Sequence, residues 1–278
     1  MRRQSALKSK NKWLSAPYIL WSAVFIIVPL GMILYYGLTD QTGSFTLDNI
    51  TAIASAGHAK ALRVSLLLSL VSTLVCFLLA YPLAMILAGV QVKRHNFIIL
   101  VFILPMWMNF LLRTLAWQTL LEKNGVINHV LSFLHLPALR IINTPAAIIL
   151  GMVYNFLPFM VLPLYNALSK IDTNVINAAR DLGANHVYTF IRIILPLSIP
   201  GIISGITMVF IPALTTFVIS SLLGGGKLLL IGDVIEQEFT RTSNWHLGSG
   251  LSMILMVFIL INMVLSAIFD KDGEGSML

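Results

Sequence analysis

Six stretches of this chain are each long and apolar enough to form a bilayer-crossing helix, and that number constrains the fold more than anything else in it. They cover 17–38, 62–90, 97–121, 146–168, 190–223 and 250–269. A spanning helix needs about 20 mostly apolar residues. The second and fifth are longer than one crossing requires, which tilt or an extension beyond the bilayer absorbs. A closed β-barrel is the other spanning solution, but its strands alternate over about 10 residues, and no such alternation runs through this chain. Composition agrees. Of 278 residues, 58% are apolar and 10% charged, against about 45–50% and 25% in an ordinary soluble domain. That balance excludes a water-soluble globule and a disordered chain alike. The expected fold class is an all-α polytopic membrane protein with six transmembrane helices.

The first stretch follows basic residues that include Arg2-Arg3, as a secretory signal would. Its apolar core exceeds the 7–15 residues of a signal, and no small-x-small cleavage site follows, so it reads as an uncleaved first helix. The single cysteine, Cys76, excludes an internal disulfide and a cysteine-based metal site.

Net charge is +7, and the placement of the charges explains it. With the N-terminus in the cytoplasm, the inner segments carry eleven basic residues: Arg2, Arg3, Lys8, Lys10, Lys12, Lys93, Arg94, Lys170, Arg180, Arg192 and Lys271. The outer loops carry six, Lys60, Arg63, Lys123, Arg140, Lys227 and Arg241, and Arg113 lies within a span. Basic residues favour the cytoplasmic side, so both termini are expected inside. A nucleic-acid partner is not needed to account for the charge. The expected organisation is a basic cytoplasmic tail over 1–16, one transmembrane domain over 17–269 and a cytoplasmic tail over 270–278.

The cytoplasmic loop at 170–189 is the most informative segment. Asp172 suits an N-cap, because its carboxylate accepts from free N–H groups of a first turn. Gly183 suits the position after the last turn, where the left-handed region carries no Cβ penalty. Ile171, just before the cap, and Val175, Ala178, Ala179 and Leu182 recur at helical spacing. The pattern predicts a helix of about ten residues, roughly 15 Å long, too short to span. A second helix is expected from about Asn185 into the fifth span, bent by Pro196 and Pro200.

This segment resembles the cytoplasmic motif of ABC importer membrane subunits. Ala178-Ala179 is followed after three residues by Gly183, and after nine more by Ile193-x-Leu195-Pro196. Asn177 stands where the family has glutamate. Further similarity, to the first permease subunit of spermidine/putrescine importers, covers Phe45–Asn49, the run Leu157–Tyr165 and Leu229-Leu230-Ile231-Gly232. The resemblance implies a type I ABC importer permease fold. It implies partners as well: two copies of an ATP-binding subunit, a second homologous permease subunit, an extracytoplasmic solute-binding protein and a polyamine substrate, in a bacterial inner membrane. It implies that Asn177, Ala178, Ala179, Arg180, Asp181 and Gly183 couple the chain to the ATPase.

The chain offers little chemistry of its own. The nearest approach to a phosphate-binding loop is Gly226-Lys227, but Ser221 replaces the first glycine and Leu228 follows the lysine. Gly224-Gly225-Gly226 reads instead as a flexible outer loop. No His-x-x-x-His pair occurs, and no acid lies deep in a span. No cofactor or metal site is expected, and an intramembrane enzyme fits poorly. Permeases for other small solutes, or a self-contained secondary transporter, are the competing readings.

An ionisable group inside a span marks a functional site by default. Arg113 is the clear case. Asn109, Arg113 and Trp117 recur at i, i+4 and i+8, one helix face, with Trp107 nearby. Tyr154 and Asn155 lie on the fourth span. These six residues are the candidate solute pathway. The alternative for Arg113 is snorkelling to the interface, and for the tryptophans interfacial packing. Asp233, Glu236 and Glu238 read as a solvated outer cluster, and Gly201-x-x-x-Gly205 as a helix-packing motif.

Overall fold

The computed structural model describes residues 16–89 and 104–274. The tail at 1–15, the end of the second predicted span and the first part of the third lie outside them. The described residues are helical, with one isolated antiparallel bridge, Thr39 to Phe45. They divide into two compact units, Met1–Ser55 with Ile235–Val257, and Ala56–Val234 with Phe258–Leu278.

The helices are α1 (Pro17–Gly37), α2 (Ala56–Gly89), α3 (Phe110–Leu121), α4 (Val126–Phe133), α5 (Pro145–Leu168), α6 (Thr173–Asp181), α7 (His186–Leu197), α8 (Ile199–Thr215), α9 (Val218–Leu223), α10 (Ile231–Thr240) and α11 (Trp245–Glu274). Four of them, α1, α2, α5 and α11, are long and apolar enough to cross a membrane, and α7 with α8 makes a fifth if the bent pair is one span. The remaining predicted span is described only from Leu104 onward.

The fifth stretch departs from a continuous helix. It bends by 63° between α7 and α8. Pro200 has no N–H to return to the carbonyl four residues back, so the ladder breaks beside Ser198. A second break follows at Thr216, whose backbone is extended, and α9 begins beyond it.

In the second unit α2, α5 and α8 pack against one another. The stripe of α2 that is buried consists mostly of small side chains: Ala61, Ser65, Ser69, Ser72, Cys76, Ala80 and Ala84. In lipid, apolar surface gains nothing by meeting other apolar surface, so small residues that admit close backbones mark the packed face. The hydroxyls on this stripe find partners. Ser69 and Thr73 donate to the carbonyls of Leu66 and Ser69 at 3.1 and 2.7 Å, and Ser72 reaches Met152 Sδ at 3.2 Å. Met152, Met160 and Leu164 of α5 and Val209 and Ala213 of α8 complete the core. The Gly201-x-x-x-Gly205 motif packs within the subunit. A Cβ on Gly201 would lie 2.5 Å from Ala167 Cβ, and one on Gly205 2.7 Å from Met160 Sδ.

The first unit is built around Asn49. Its Nδ2 donates to the carbonyls of Tyr36, Gly37 and Thr39, closing the turn after α1. Gly37 and Gly250 allow the close approach this needs, since a Cβ on Gly250 would fall 2.6 Å from Asn49.

Candidate functional site

Two places carry the candidate residues. The first is the α6–turn–α7 knob. Asp172 caps α6 by accepting from Asn174 N at 2.9 Å. Gly183 adopts φ +87, its N–H donates to Arg180 O at 2.9 Å, and Ala184 N donates to Ala179 O at 3.0 Å. That pair of bonds is the full Schellman closure. Asn185 then caps α7 by accepting from Tyr188 N at 2.8 Å. Both predicted helices therefore form at the predicted places. No residue of α6 is buried, and Leu182 is 90% exposed. The element is doubly capped and mostly exposed, and among the described residues nothing covers the apolar residue at its tip.

The second place lies where α3 meets α5. Arg113 is buried within the protein, 7% exposed. Its guanidinium lies 5.8 Å from the ring centre of Tyr154 and 5.9 Å from that of Phe110. Trp117 meets Tyr154 edge-on at 5.1 Å. Arg113, Trp117 and Tyr154 are thus brought together, beside an apolar groove of about 480 Å³ walled by Val75, Ile149, Val153 and Leu157. Asn155, the next residue of α5, is buried, its Nδ2 donating to Gly151 O at 2.7 Å while Oδ1 has no partner among the described residues.

Asn109 and Trp107 do not join this cluster. α3 begins at Phe110, and Asn109 is its N-cap, accepting from Leu111 N and Leu112 N at 2.9 and 3.3 Å. Its Oδ1 is spent on backbone donors. Trp107 lies in the preceding turn, 76% exposed. The acidic cluster also differs from expectation. It lies on α10, where Asp233 is buried and accepts from Leu230 N at 2.8 Å, while Glu236 and Glu238 accept from Thr240 and Thr242.

Tyr81 and Ser198 went unnoticed in the sequence. Their hydroxyls meet at 2.8 Å at the bend between α7 and α8, and Phe190 abuts the Tyr81 ring. A tyrosine in an apolar span, one residue before Pro82, was the available signal.

The arrangement holds and orients groups; its aromatic faces, amides and guanidinium supply no nucleophile or acid–base pair. Fold and site together define an all-helical, multi-pass membrane protein with an exposed, doubly capped helix at α6. The chain belongs to the family of binding-protein-dependent transport system inner membrane components, whose family model matches residues 6–271. Relatives in that family include the spermidine/putrescine transport system permease protein PotB of Haemophilus influenzae, 38% identical over 86% of each chain. PotB of Escherichia coli is 40% identical over 85% of this chain and 89% of its own. A chain from the crystal structure of a bacterial ABC transporter involved in import of the acidic polysaccharide alginate shares the fold, with TM-score 0.78 at 18% identity over 96% of this chain and 99% of that one. These relatives are transport permeases, and the chain is a multi-pass inner-membrane transport component.

Proposed function

We propose that this chain is a permease subunit of an ATP-driven importer that carries polyamines, spermidine or putrescine, into the cytoplasm. The exposed, doubly capped α6 knob carries the reading: in a member of this family it is the element suited to seat on a separate ATP-hydrolysing subunit. The permeases similar to this chain that are named for spermidine and putrescine support the substrate class.

In this reading one domain over 17–269 holds six spans, with the tails 1–16 and 270–278 and the loop 170–189 in the cytoplasm. The Lys/Arg distribution supports that orientation. Two ATP-binding subunits, a second homologous permease and an extracytoplasmic solute-binding protein complete the assembly. Asn177, Ala178, Ala179, Arg180, Asp181 and Gly183 form the coupling face. Closure of the ATPases moves this packed element as a rigid body and swings the helices joined to it. Arg113, Trp117 and Tyr154 are the residues of our candidate pathway that lie together, and Asn155 follows Tyr154 on α5. Trp107 and Asn109 belong to its periphery.

Solute-stimulated ATPase activity of the assembled complex tests this across polyamines, amino acids and anions. Stimulation by spermidine or putrescine is expected. Stimulation by a non-polyamine alone overturns the substrate, and transport by the isolated chain on an ion gradient overturns the ATP-driven mechanism.

A further inference from the structure

A cleft of about 450 Å³ opens in the first unit between the C-terminal end of α1 and the N-terminal end of α11. Met32 and Tyr36 of α1, Gln41 of the following turn, and Ser243, Trp245 and His246 line it. Its aromatic side is braced. Tyr36 meets Tyr35 and His246 edge-on at 5.4 and 5.2 Å and lies 6.3 Å from Trp245, which in turn abuts Phe239 at 5.5 Å.

The imidazole is fixed in one orientation. His246 Nδ1 lies 2.6 Å from Thr39 O and 3.1 Å from Tyr36 O. Carbonyl oxygens only accept, so Nδ1 carries a hydrogen. Gln41 and Ser243 add side-chain oxygens. Asp40 stands beside the cleft, its Oδ1 accepting from Thr42 N, Thr42 Oγ1 and Ser44 N at 2.8, 2.6 and 2.9 Å. Those bonds, that of the Thr42 hydroxyl foremost, hold its carboxyl below the usual range and so ionised at neutral pH. Among the described residues that line the cleft there is no lysine or arginine.

Aromatic faces, side-chain oxygens and a neighbouring carboxylate suit an ammonium group. We infer that this cleft binds the ammonium group of an organic amine. The inference rests on the polyamine reading for its natural ligand, and it adds a contact point away from the Arg113 cluster. Two sources share the chemistry: a free amine, or the headgroup of phosphatidylethanolamine.

Equilibrium binding of labelled spermidine to the full chain in maltoside micelles tests it. Saturable binding is expected, retained in Trp245→Phe and weakened about five- to tenfold in Trp245→Ala, the range of a partly desolvated cation–π contact. Gln41→Ala, on an exposed side chain whose loss leaves the fold intact, weakens it as well. Glutarate, a dianion of comparable length, does not compete. Displacement by short-chain phosphatidylethanolamine but not phosphatidylglycerol assigns the headgroup as occupant, and the absence of displacement assigns the free amine. No saturable binding, equal affinity in Trp245→Ala and Trp245→Phe, or competition by glutarate overturns the site. The import reading is judged separately by the ATPase response: a complex that responds to polyamines while Trp245→Ala binds normally loses only the cleft. One that responds to a non-amine alone loses only the import reading.

Discussion

The hydroxyls of Tyr81 and Ser198 lie 2.8 Å apart in the core, joining α2 to the bend at which α7 gives way to α8. Ser198 Oγ also lies 2.9 Å from Leu195 O, a carbonyl that can only accept. Ser198 therefore spends its one hydrogen there, and Tyr81 donates to Ser198. The two partners are not equivalent to mutation. Tyr81→Phe removes a donor and leaves Ser198 still bonded, at about 1 kcal/mol. Ser198→Ala strands the buried phenol and costs about 1–3 kcal/mol. Thermal unfolding in one detergent should show both variants destabilised, Ser198→Ala the more. Equal melting temperatures would remove the assigned donor direction.

Gly183 closes α6 at φ +87, and a Cβ there would meet nothing within 4 Å. The cost of a side chain is thus purely conformational, about 1–2 kcal/mol for alanine, and less for asparagine, which tolerates the left-handed region. Asp172→Ala removes the other end's cap for about 1 kcal/mol. Each substitution should leave membrane insertion unchanged and lower solute-stimulated ATPase activity in the order alanine below asparagine at Gly183. Coupling that is indifferent to both ends would show that α6 need not be rigid.

The knob was legible because its two ends are set by local caps. Asp172, Gly183 and Asn185 act on backbone donors and acceptors a few residues away, and such local chemistry reads directly from sequence. The spans behaved differently. Every face of α2 is apolar, so hydrophobic period does not say which side is buried; Ser69, Ser72 and Cys76 mark it by size. Arg113 stood out because a guanidinium in a span demands company, but its meeting with Tyr154 of α5 was not legible. That Asn109 is the N-cap was not legible, because spacing alone does not reveal where a helix starts. Tyr81–Ser198 spans 117 positions of sequence, and nothing local announces such a pairing.

Gly201 and Gly205 face α5 through different atoms. A Cβ on Gly201 would meet Ala167 Cβ at 2.5 Å and Pro163 O at 2.8 Å, neither of which can swing aside. On Gly205 the nearest atom is Met160 Sδ at 2.7 Å, on a flexible side chain. Gly201→Ala should therefore destabilise by about 1–3 kcal/mol, and Gly205→Ala by clearly less. Gly31→Ala on α1, where a Cβ meets nothing within 4 Å, should be neutral or stabilising. Detergent unfolding of the three variants checks the order.

Asp40 ties the turn after α1 through Thr42 and Ser44, and these bonds lower its pKa from the ordinary 3.8. A depressed carboxyl stabilises above its unfolded value and loses that contribution as pH falls through the folded one. The turn should stay equally ordered from neutral pH down to about 4, then loosen below. Asp40→Asn should be loose throughout. Hydrogen exchange of residues 40–46, compared at matched chemical exchange rates, should show the two proteins converging only below pH 3.8. Convergence already at pH 6 would mean that the carboxylate's bonds do not hold the turn.

Arg113 combines burial with two aromatic neighbours, Tyr154 at 5.8 Å and Phe110 at 5.9 Å. A desolvated contact of this kind is worth about 2 kcal/mol, and the flat guanidinium suits it in a way that a lysine ammonium does not. If the cluster lies on the solute pathway, Arg113→Lys and Tyr154→Leu should each lower transport turnover several-fold in complexes that assemble and hydrolyse ATP normally. Trp107→Leu, exposed and outside the cluster, should leave turnover within twofold. Packing alone predicts a different pattern: lower melting temperature and yield, with unchanged rate and affinity in whatever complex forms. Measuring turnover per assembled complex separates the two, and unchanged turnover in both cluster variants would assign Arg113 to holding α3 against α5.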